Sequence, residues 1–479
     1  MSYYLKNQKI YILPLTVITM AKSTGNIKIV VNLYEINKGN KSLPSYKAIV
    51  KRDVINKSKL NVGDGCLFQL NNCIFPSVIV KHNNSKGSYC YSFTIPREIA
   101  KDVKIRNIEL DLLQLCKPSK IDHIKKIKNY IILPKFTKTR IGNPLYSLSL
   151  NKNDNIVWIY SRGCKPFVLP KKIQIRYKEI DLIEVIGAFF CEGLRSRKKG
   201  HNLDRLSFSN SEPEQISWFI KSIEKLFKIK KDAWDCQILF PKTSPNLINK
   251  LKCFWSKQGI NKNNIKVYKN ESVRAEHGVC IVSISNSSLA EVFYQIYEFC
   301  KNIICNNKQY ALSFFRGVSR GDIGIVKNCI TFSTREKEDA ELYAKVCKLL
   351  NLSPSNLYYS SGCWNVNIFG YDNFKYLIEN DAIKHTKRKN RLYKNFINSK
   401  KSILYKYLKN ISKNINSSLS LAKILDLSQI TTVCYLRKFK NQGYIKGTRK
   451  YKNDPYTYTL TLKGNNTLKF YSKIERSII

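Results

Sequence analysis

The spacing of apolar residues predicts two similar helices in the middle of the chain. After Asp181, the residues Leu182, Val185, Ile186 and Phe189 recur at intervals of three or four, as they do on one face of a helix. The segment 311–322 has the same apolar character. Small residues inside such helices let the backbone of a second helix approach closely. The candidates for this close contact are Gly187 and Gly193 in the first segment, and Gly317 and Gly321 in the second.

Each predicted helix is expected to end at a carboxylate. Glu192 lies five positions after Gly187, and Asp322 lies five positions after Gly317. One acid is therefore predicted at the C-terminal end of each helix.

The segments that follow the two helices are also alike. A strand-like stretch (206–210 and 330–334) leads into an amphipathic helix in each case, and further strand-like stretches follow at 279–284 and 364–368. The order helix, strands, helix, strands, helix thus occurs twice, which indicates an internal duplication of about 100 to 130 residues.

A shorter repeat occupies the first 115 residues. The segment 45–70 matches 88–115, and the match runs without gaps from Arg52 and Arg97 to Leu70 and Leu115, which are 45 positions apart in each case. Each copy predicts a β-rich stretch, a short helix and a closing strand. The second copy, Phe93–Ala100, resembles the AbrB/SpoVT family of swapped-hairpin DNA-binding domains. That resemblance implies that two tandem copies form in one chain what this family forms by dimerisation. A small structural β-barrel without a DNA role is the other interpretation.

The C-terminal part predicts three helices followed by two strands. Helices are expected from Ile403, over 419–427, and after Ser428, which is a good N-cap. Strands are expected at 444–446 and 456–462, with a basic turn between them. The arrangement is similar to a winged helix-turn-helix, and a small helical adaptor without DNA contacts is the alternative. The resemblance implies DNA contacts by Gln429, Thr431, Thr432, Arg437 and Lys438 on the recognition helix and by Arg449 and Lys450 on the wing.

The net charge of the chain indicates the kind of partner it binds. Lys and Arg total 83 against 34 Asp and Glu, a formal net charge of +49. So large an excess costs stability through self-repulsion, so a polyanion is the expected partner. A lysine-rich composition inherited from an AT-rich genome is the alternative source of the charge.

Other features of the sequence limit the class of protein. No stretch approaches the roughly twenty apolar residues of a membrane span, and the N-terminus lacks the features of a signal peptide. The 15 cysteines include no Cys-x-x-Cys pair, so we expect free thiols rather than a zinc site. These features predict an intracellular protein, cytoplasmic and associated with the nucleoid, that does not contact a membrane.

The paired central motifs resemble those of the single-chain LAGLIDADG homing endonucleases, particularly the divergent archaeal type. The resemblance covers about 172 to 385 and rests on 187–193, 314–322 and the matching strands behind them. It implies an α+β fold in which two αββαββα half-domains pack by their motif helices about a pseudo-twofold axis. We therefore predict the following domains: 1–116 β-rich tandem repeat, 117–172 basic linker and strand-rich connector, 173–303 first half-domain, 304–385 second half-domain, 386–400 basic linker, and 401–479 winged helix-turn-helix.

The same resemblance implies a role for the two acids. Glu192 and Asp322 would be ligands of Mg²⁺ or Mn²⁺ and hold the metal against the scissile phosphates, with the saddle strands in the major groove. The second motif departs from the family pattern, because Arg320 and Ile323 occupy positions that are usually small, acidic or glycine. Arg320 could pair with Asp322 in place of a metal. Both acids could also be ordinary surface residues at helix ends.

Three functions agree with these patterns. The first is a metal-dependent, site-specific endonuclease that cuts double-stranded DNA. The second is a transcriptional regulator that binds DNA without cutting it, as in the WhiA family, which couples a LAGLIDADG-like fold to a helix-turn-helix. The third is an RNA-splicing maturase. For all three we expect a protein that is monomeric through its internal pseudo-symmetry, and an affinity that falls steeply with salt as bound counterions are released.

Overall fold

The computed structural model describes residues 27–36, 45–70, 73–83, 89–100, 107–118, 121–139, 142–149, 155–161, 166–193, 204–327, 329–398, 403–449, 451 and 454–478. The chain forms two compact units, residues 1–303 and 304–479. Helices and antiparallel sheets occur in both units, as expected for an α+β protein. None of the helices in the described ranges is long and apolar enough to cross a membrane.

The first unit begins with one antiparallel sheet, in which the strands lie in the order β4-β3-β7-β1-β2-β6-β5. Its elements are β1 (Ile27–Ile36), β2 (Ser45–Val50), α1 (Arg52–Lys57), β3 (Gly65–Leu70), β4 (Cys73–Val78), β5 (Val80–Asn83), β6 (Tyr89–Ile95), α2 (Arg97–Ala100) and β7 (Asn107–Cys116).

The two copies of the N-terminal repeat pair with each other strand for strand. Each copy has the predicted order of strand, short helix and strand, namely β2-α1-β3 and β6-α2-β7. β2 pairs with β6, with Ala48 opposite Phe93, and β3 pairs with β7. Ser77 of β4 donates a hydrogen bond to the carbonyl of Thr94 of β6 at 2.9 Å, so the sheet curls around its buried core. The two copies therefore share one sheet, and a DNA-binding role for them stays a prediction.

The segment 117–172 was predicted as a basic linker and a strand-rich connector, and its described residues form strands from Lys125 onward. They are β8 (Lys125–Ile127), β9 (Tyr130–Ile132), β10 (Phe136–Lys138), β11 (Pro144–Leu148), β12 (Ile156–Ser161), β13 (Phe167–Pro170) and β14 (Lys172–Gln174). Tyr146, Leu148 and Trp158 of this segment are buried in one core with Leu67 and Ile74 of the N-terminal sheet. Large apolar side chains therefore join this segment to the repeat instead of leaving it as a free connector.

The first predicted half-domain follows the hairpin of β15 (Arg176–Tyr177) and β16 (Ile180–Asp181). Its elements are α3 (Leu182–Glu192), β17 (Leu206–Asn210), α4 (Pro213–Phe227), β18 (Asp235–Phe240), α5 (Pro245–Ser256), β19 (Ile265–Lys269), β20 (Val279–Ile284) and α6 (Ser287–Ile304), with 3₁₀ turns at Lys231–Ala233 and Lys262–Asn264.

Among the described residues this half has the order αβαβαββα instead of the expected αββαββα: β17 alone lies between α3 and α4, and α5 lies between β18 and β19. β19 is parallel to β18, and two parallel neighbours require a crossover connection, which is usually a helix. The sheet order is β17-β20-β18-β19. Cys236 and Cys280 lie on adjacent strands with their sulfurs 3.4 Å apart, and the described cysteines are free thiols, as predicted.

The second predicted half-domain has the order αββαββα. Its sheet is antiparallel, with strands in the order β21-β22-β24-β23. The elements are α7 (Lys308–Arg320), β21 (Ile323–Val326), β22 (Cys329–Thr334), α8 (Lys337–Leu349), β23 (Tyr358–Ser360), β24 (Cys363–Phe369) and α9 (Tyr371–Glu379).

The expected basic linker at 386–400 is wrong over most of its length. Residues Thr386–Ile397 form helix α10. Leu392 and Phe396 are each 1% exposed, and the Phe396 ring stacks on Tyr371 at 4.5 Å between ring centroids. These apolar residues, four positions apart, give α10 a buried face despite its high charge.

The C-terminal region contains the three predicted helices and two predicted strands, followed by a helix that was not predicted. The elements are α11 (Ile403–Ile411), α12 (Ser418–Leu425), α13 (Gln429–Asn441), β25 (Ile445–Thr448), β26 (Thr457–Leu460) and α14 (Leu462–Arg476). The second strand therefore ends before Leu462 instead of including it, because Thr461 caps α14 by accepting a hydrogen bond from the Gly464 amide.

Candidate functional site

Helix α3 holds the first candidate acid at its last position. Asp181 caps the helix by accepting a hydrogen bond from the Ile183 amide at 2.8 Å, and the Arg176 guanidinium holds the same carboxylate at 3.2 Å. Residues 182–190 are all buried, including Gly187. Glu192 is half-buried, so the helix places a carboxylate where a fully buried element reaches the surface.

The strand β17 fixes the end of α3. The Asn210 side-chain amide donates to Oε1 of Glu192 at 3.4 Å, and the Ser209 hydroxyl donates to the Glu192 carbonyl at 3.3 Å. Asn210 also accepts from the Glu212 amide at 2.8 Å. Asn210 was predicted only as the last residue of the strand-like stretch 206–210, and the sequence does not show that its amide meets the end of α3.

Gly193 has a local role next to this acid. A Cβ atom at this position would lie 2.2 Å from the Phe189 ring, and the Gly193 amide donates to the Phe189 carbonyl at 2.9 Å. Its backbone forms a bridge to Phe208 of β17. The glycine therefore leaves room for the Phe189 ring at the end of α3. This contact lies within one helix, whereas the sequence predicted a contact between two helices.

Helix α7 leads to the second candidate acid. Asn307 caps its start by accepting from the amides of Gln309 and Tyr310. Gly317 and Gly321 are buried, and the Gly321 amide donates to the Val318 carbonyl at 3.0 Å. Asp322 follows in an exposed turn.

Ile323, which departs from the family pattern, is a core residue of the second unit. It is 2% exposed and pairs with Phe332 as the first residue of β21. The turn that carries Asp322 is thus fixed on one side by the end of α7 and on the other by a buried strand.

Helix α10 holds this turn from outside. Arg388 donates to the Ser319 carbonyl at 3.1 Å, and Arg391 donates to the Ile325 carbonyl at 3.3 Å. Ser319 and Ile325 lie three residues before and three residues after Asp322. The Lys384 amide also donates to the Ser319 hydroxyl at 2.8 Å. This role of the two arginines was not predicted, because both lie in the segment 386–400 that was expected to be a linker.

The number of possible metal ligands near each acid limits how a metal could bind. Across the residues that the structure describes, no group of three or more His, Cys, Asp or Glu side chains could hold a metal ion. A metal site built entirely from such side chains is therefore not present in that part of the chain. Mg²⁺ is also bound by one or two carboxylates together with substrate phosphate and water, and single carboxylates such as Glu192 and Asp322 are compatible with that mode.

The outer face of the second sheet carries uncharged side chains, some polar and some apolar, and among the apolar ones Val326 is 62% and Phe369 51% exposed. Ile330 and Phe332 of β22 point into the core, whereas Thr331 and Ser333 alternate with them on the other face. Ser333 donates to the side-chain oxygen of Asn365 at 2.6 Å. In the same sheet, the Asn367 amide donates to the Tyr358 hydroxyl at 2.9 Å. Hydroxyl and amide side chains are among those that can hydrogen bond to base edges in the major groove.

Most of the C-terminal candidate residues share an exposed surface. Gln429, Thr431, Arg437 and Lys438 are exposed on α13, and Arg449 lies exposed over the Tyr456 ring at 5.2 Å. Thr432 is an exception, since it is 0% exposed and lies on the inner face of the helix with Leu436. We therefore withdraw Thr432 as a DNA contact. Lys450 lies outside the described residues.

Comparison with known proteins gives remote likenesses. No family model and no curated protein matches the sequence. The crystal structure of the homing endonuclease I-DmoI in complex with DNA and Mn has a TM-score of 0.27 and 12% identity, over 42% of this chain and 99% of that one. The N-terminal LAGLIDADG domain of DUF199/WhiA has a TM-score of 0.26 and 12% identity, over 42% of this chain and 81% of that one. Both likenesses are too remote to assign a family.

Proposed function

We propose that this protein binds double-stranded DNA at a specific site and cuts it with a divalent metal, Mg²⁺ or Mn²⁺. The observation that carries the proposal is the matched position of two carboxylates. Glu192 ends the buried helix α3, and Asp322 follows the end of the largely buried helix α7. Each of these helices is followed by one or two strands of a sheet and then by a second helix, α4 or α8, that packs against that sheet. A carboxylate near the C-terminal end of the first helix of each predicted half-domain is the arrangement that a cut in each DNA strand requires.

Each acid serves as a metal ligand in its own unit. A bound divalent ion supplies Lewis-acid stabilisation of the phosphate and lowers the pKa of the attacking water. Asn210 keeps the Glu192 carboxylate oriented through its 3.4 Å hydrogen bond. Arg388 and Arg391 fix the backbone on both sides of Asp322, so that its short side chain is presented from a rigid turn.

The charge and the polar surfaces support DNA as the partner. A net charge of +49 favours a polyanion through counterion release. The exposed Ser333 and the partly exposed Thr331 and Asn367 supply uncharged donors and acceptors for base edges.

A regulator that binds DNA without cutting it is the second candidate. The observation that favours it is the α12–α13 pair, which presents exposed polar and basic side chains independently of both acids. Such a pair could give site-specific binding that is indifferent to metal.

One assay separates the two candidates. The purified chain is incubated with randomised duplex DNA in Mg²⁺ and, in parallel, in EDTA. The proposal expects double-strand cuts with a fixed stagger in Mg²⁺ only. DNA whose electrophoretic mobility is shifted by bound protein, but which stays intact in both Mg²⁺ and EDTA, would support the regulator instead. Preference for structured intron RNA over duplex DNA in competition would instead indicate the maturase.

A further inference from the structure

The helix pair α12–α13 has a fixed orientation in the C-terminal region. Ser417 caps α12 by accepting from the Ser420 amide, and Ser428 caps α13 by accepting from the Thr431 amide, both at 3.1 Å. The short turn between the helices starts at Asp426, which ends α12 in the left-handed conformation with φ of 52°. Leu421, Leu436 and Phe439 are buried in one core with Tyr407. These contacts determine which side chains of α13 face outward.

The outward side of α13 begins with an exposed isoleucine. Ile430 is 80% exposed, and it lies in the first turn between Gln429 and Thr431, both also exposed. Ile430 is not part of the core that the described residues form, because the inner face of the helix is occupied by Thr432 and Leu436, each 0% exposed. An isoleucine at this position therefore suits an apolar group on a partner.

The charge around Ile430 identifies the kind of partner. Residues 403–479 contain fifteen Lys and Arg against three Asp and Glu, and one of those three, Glu475, is paired with Lys409 at 2.8 Å. Arg437 and Lys438 are exposed on the same helix. A polyanion fits this charge, and it must also offer an apolar contact.

Duplex DNA offers one apolar group in its major groove, the 5-methyl group of thymine. In a helix-turn-helix, the N-terminal residues of the second helix contact the base edges, and Ile430 occupies that part of α13. The Gln429 amide next to it can accept and donate the two hydrogen bonds that adenine presents. The first turn of α13 thus carries side chains for both partners of an A·T pair.

We propose that Ile430 is a specificity-determining residue that contacts a thymine methyl group, with Gln429 placed to hydrogen bond an adenine. This inference rests on the proposed function, because it requires α13 to bind DNA in the major groove. It goes beyond that function by naming which base pair α13 recognises and which side chain recognises it.

The test removes the methyl group from the DNA instead of the side chain from the protein. A binding site is first selected from randomised duplex DNA with the full chain in EDTA, which prevents cutting. Each thymine of the selected site is then replaced singly by deoxyuracil, which keeps every hydrogen bond. We expect the wild-type affinity to fall about fourfold at one thymine, which is the contribution of one buried methyl group.

Two variants complete the test. Ile430→Ala should bind the thymine and deoxyuracil duplexes equally well. Leu462→Ala is the matched control, because Leu462 is 79% exposed but starts α14, and it should keep the wild-type preference for thymine. The inference is overturned if the wild type tolerates deoxyuracil at every position, or if Ile430→Ala keeps the preference. Failure to enrich any DNA site would instead refute the proposed function itself.

Discussion

Gly193 shows how a single residue can determine the position of a candidate acid. It directly follows Glu192, and the space that its side chain would need is filled by the ring of Phe189. The sequence alone indicated a glycine of structural importance at this position but not its partner. A contact within one turn of the same helix depends on the Phe189 rotamer, which the spacing of residues does not specify.

We predict that Gly193→Ala lowers the free energy of unfolding by about 1–3 kcal/mol, the usual cost of overpacking a filled site. The reason is that the added Cβ would lie 2.2 Å from the Phe189 ring, which would have to move. Thermal unfolding measures the effect. Gly324→Ala is the control, because the nearest atom to its Cβ would be the Thr331 carbonyl oxygen at 3.9 Å. Equal melting temperatures for the two variants would contradict this account.

Asp381 links two lysines of the second unit and gives a pH-dependent contribution to stability. Burial raises its pKa, but hydrogen bonds from Lys384 and Lys389 outweigh that effect and leave the pKa of Asp381 lowered. Because the pKa is lower in the folded state, the contribution is present above the unfolded value of about 3.9 and disappears as the pH falls through the folded value.

We therefore expect Asp381→Asn to be less stable than the wild type at pH 7, by about 0.5–1 kcal/mol for a pair this exposed. The difference should vanish at a pH below both pKa values. Urea unfolding of both proteins across this pH range measures it. A difference that stays constant down to the lowest pH would show that the carboxylate charge is not responsible.

At the level of elements, helices were predicted correctly where the capping residue and the apolar spacing agree. They were missed where glycine or a run of basic residues interrupts the apolar spacing. The cap at Ser428 and the apolar spacing of Leu436 and Phe439 correctly predicted α13. Helix α14 was missed because Gly464 lies in its first turn. A Cβ there would lie 2.1 Å from the Tyr444 carbonyl oxygen, so the glycine that weakens the helical pattern is required by tertiary packing.

Helix α10 was missed for a different reason. Its lysines and arginines gave the composition of a linker, whereas Leu392 and Phe396 form a buried face. Phe396 also lies against Tyr471 of α14 at 5.4 Å between ring centroids. The partners of this face come from distant parts of the sequence, so composition could not reveal them.

We predict that Phe396→Ala destabilises the second unit by about 3 kcal/mol, through lost burial and the cavity that remains. The exposed Lys394→Ala, two residues earlier on the same helix, should change stability little. Thermal unfolding compares the variants. If residues 386–400 were a linker, both substitutions would be neutral.

At the level of the whole molecule, the sequence predicted the α+β class. The predicted αββαββα order occurs in the second half-domain but not in the described residues of the first, and the boundaries of the domains stay predictions. The matched carboxylates were found from the sequence because glycine and acid recur at the same spacing in both segments. The groups that hold them, Asn210 and the arginines of α10, could not be found in that way. They approach the acids only through pairing and packing between elements distant in sequence.

The central claim is that the Glu192 and Asp322 carboxylates are required for cleavage of DNA but not for binding to it. Glu192→Gln with Asp322→Asn removes both charges and keeps the side-chain shapes. The control, Glu179→Gln with Glu338→Gln, changes the net charge equally at two exposed positions. Cleavage of a selected duplex in Mg²⁺ and its binding in EDTA are measured for each protein.

We expect the double variant to bind as the wild type does and to leave the duplex intact, while the control cuts normally. Each single variant should cut one strand only, because each acid serves one strand, and denaturing electrophoresis would reveal the nick. Wild-type levels of double-strand cutting by the double variant would contradict the account.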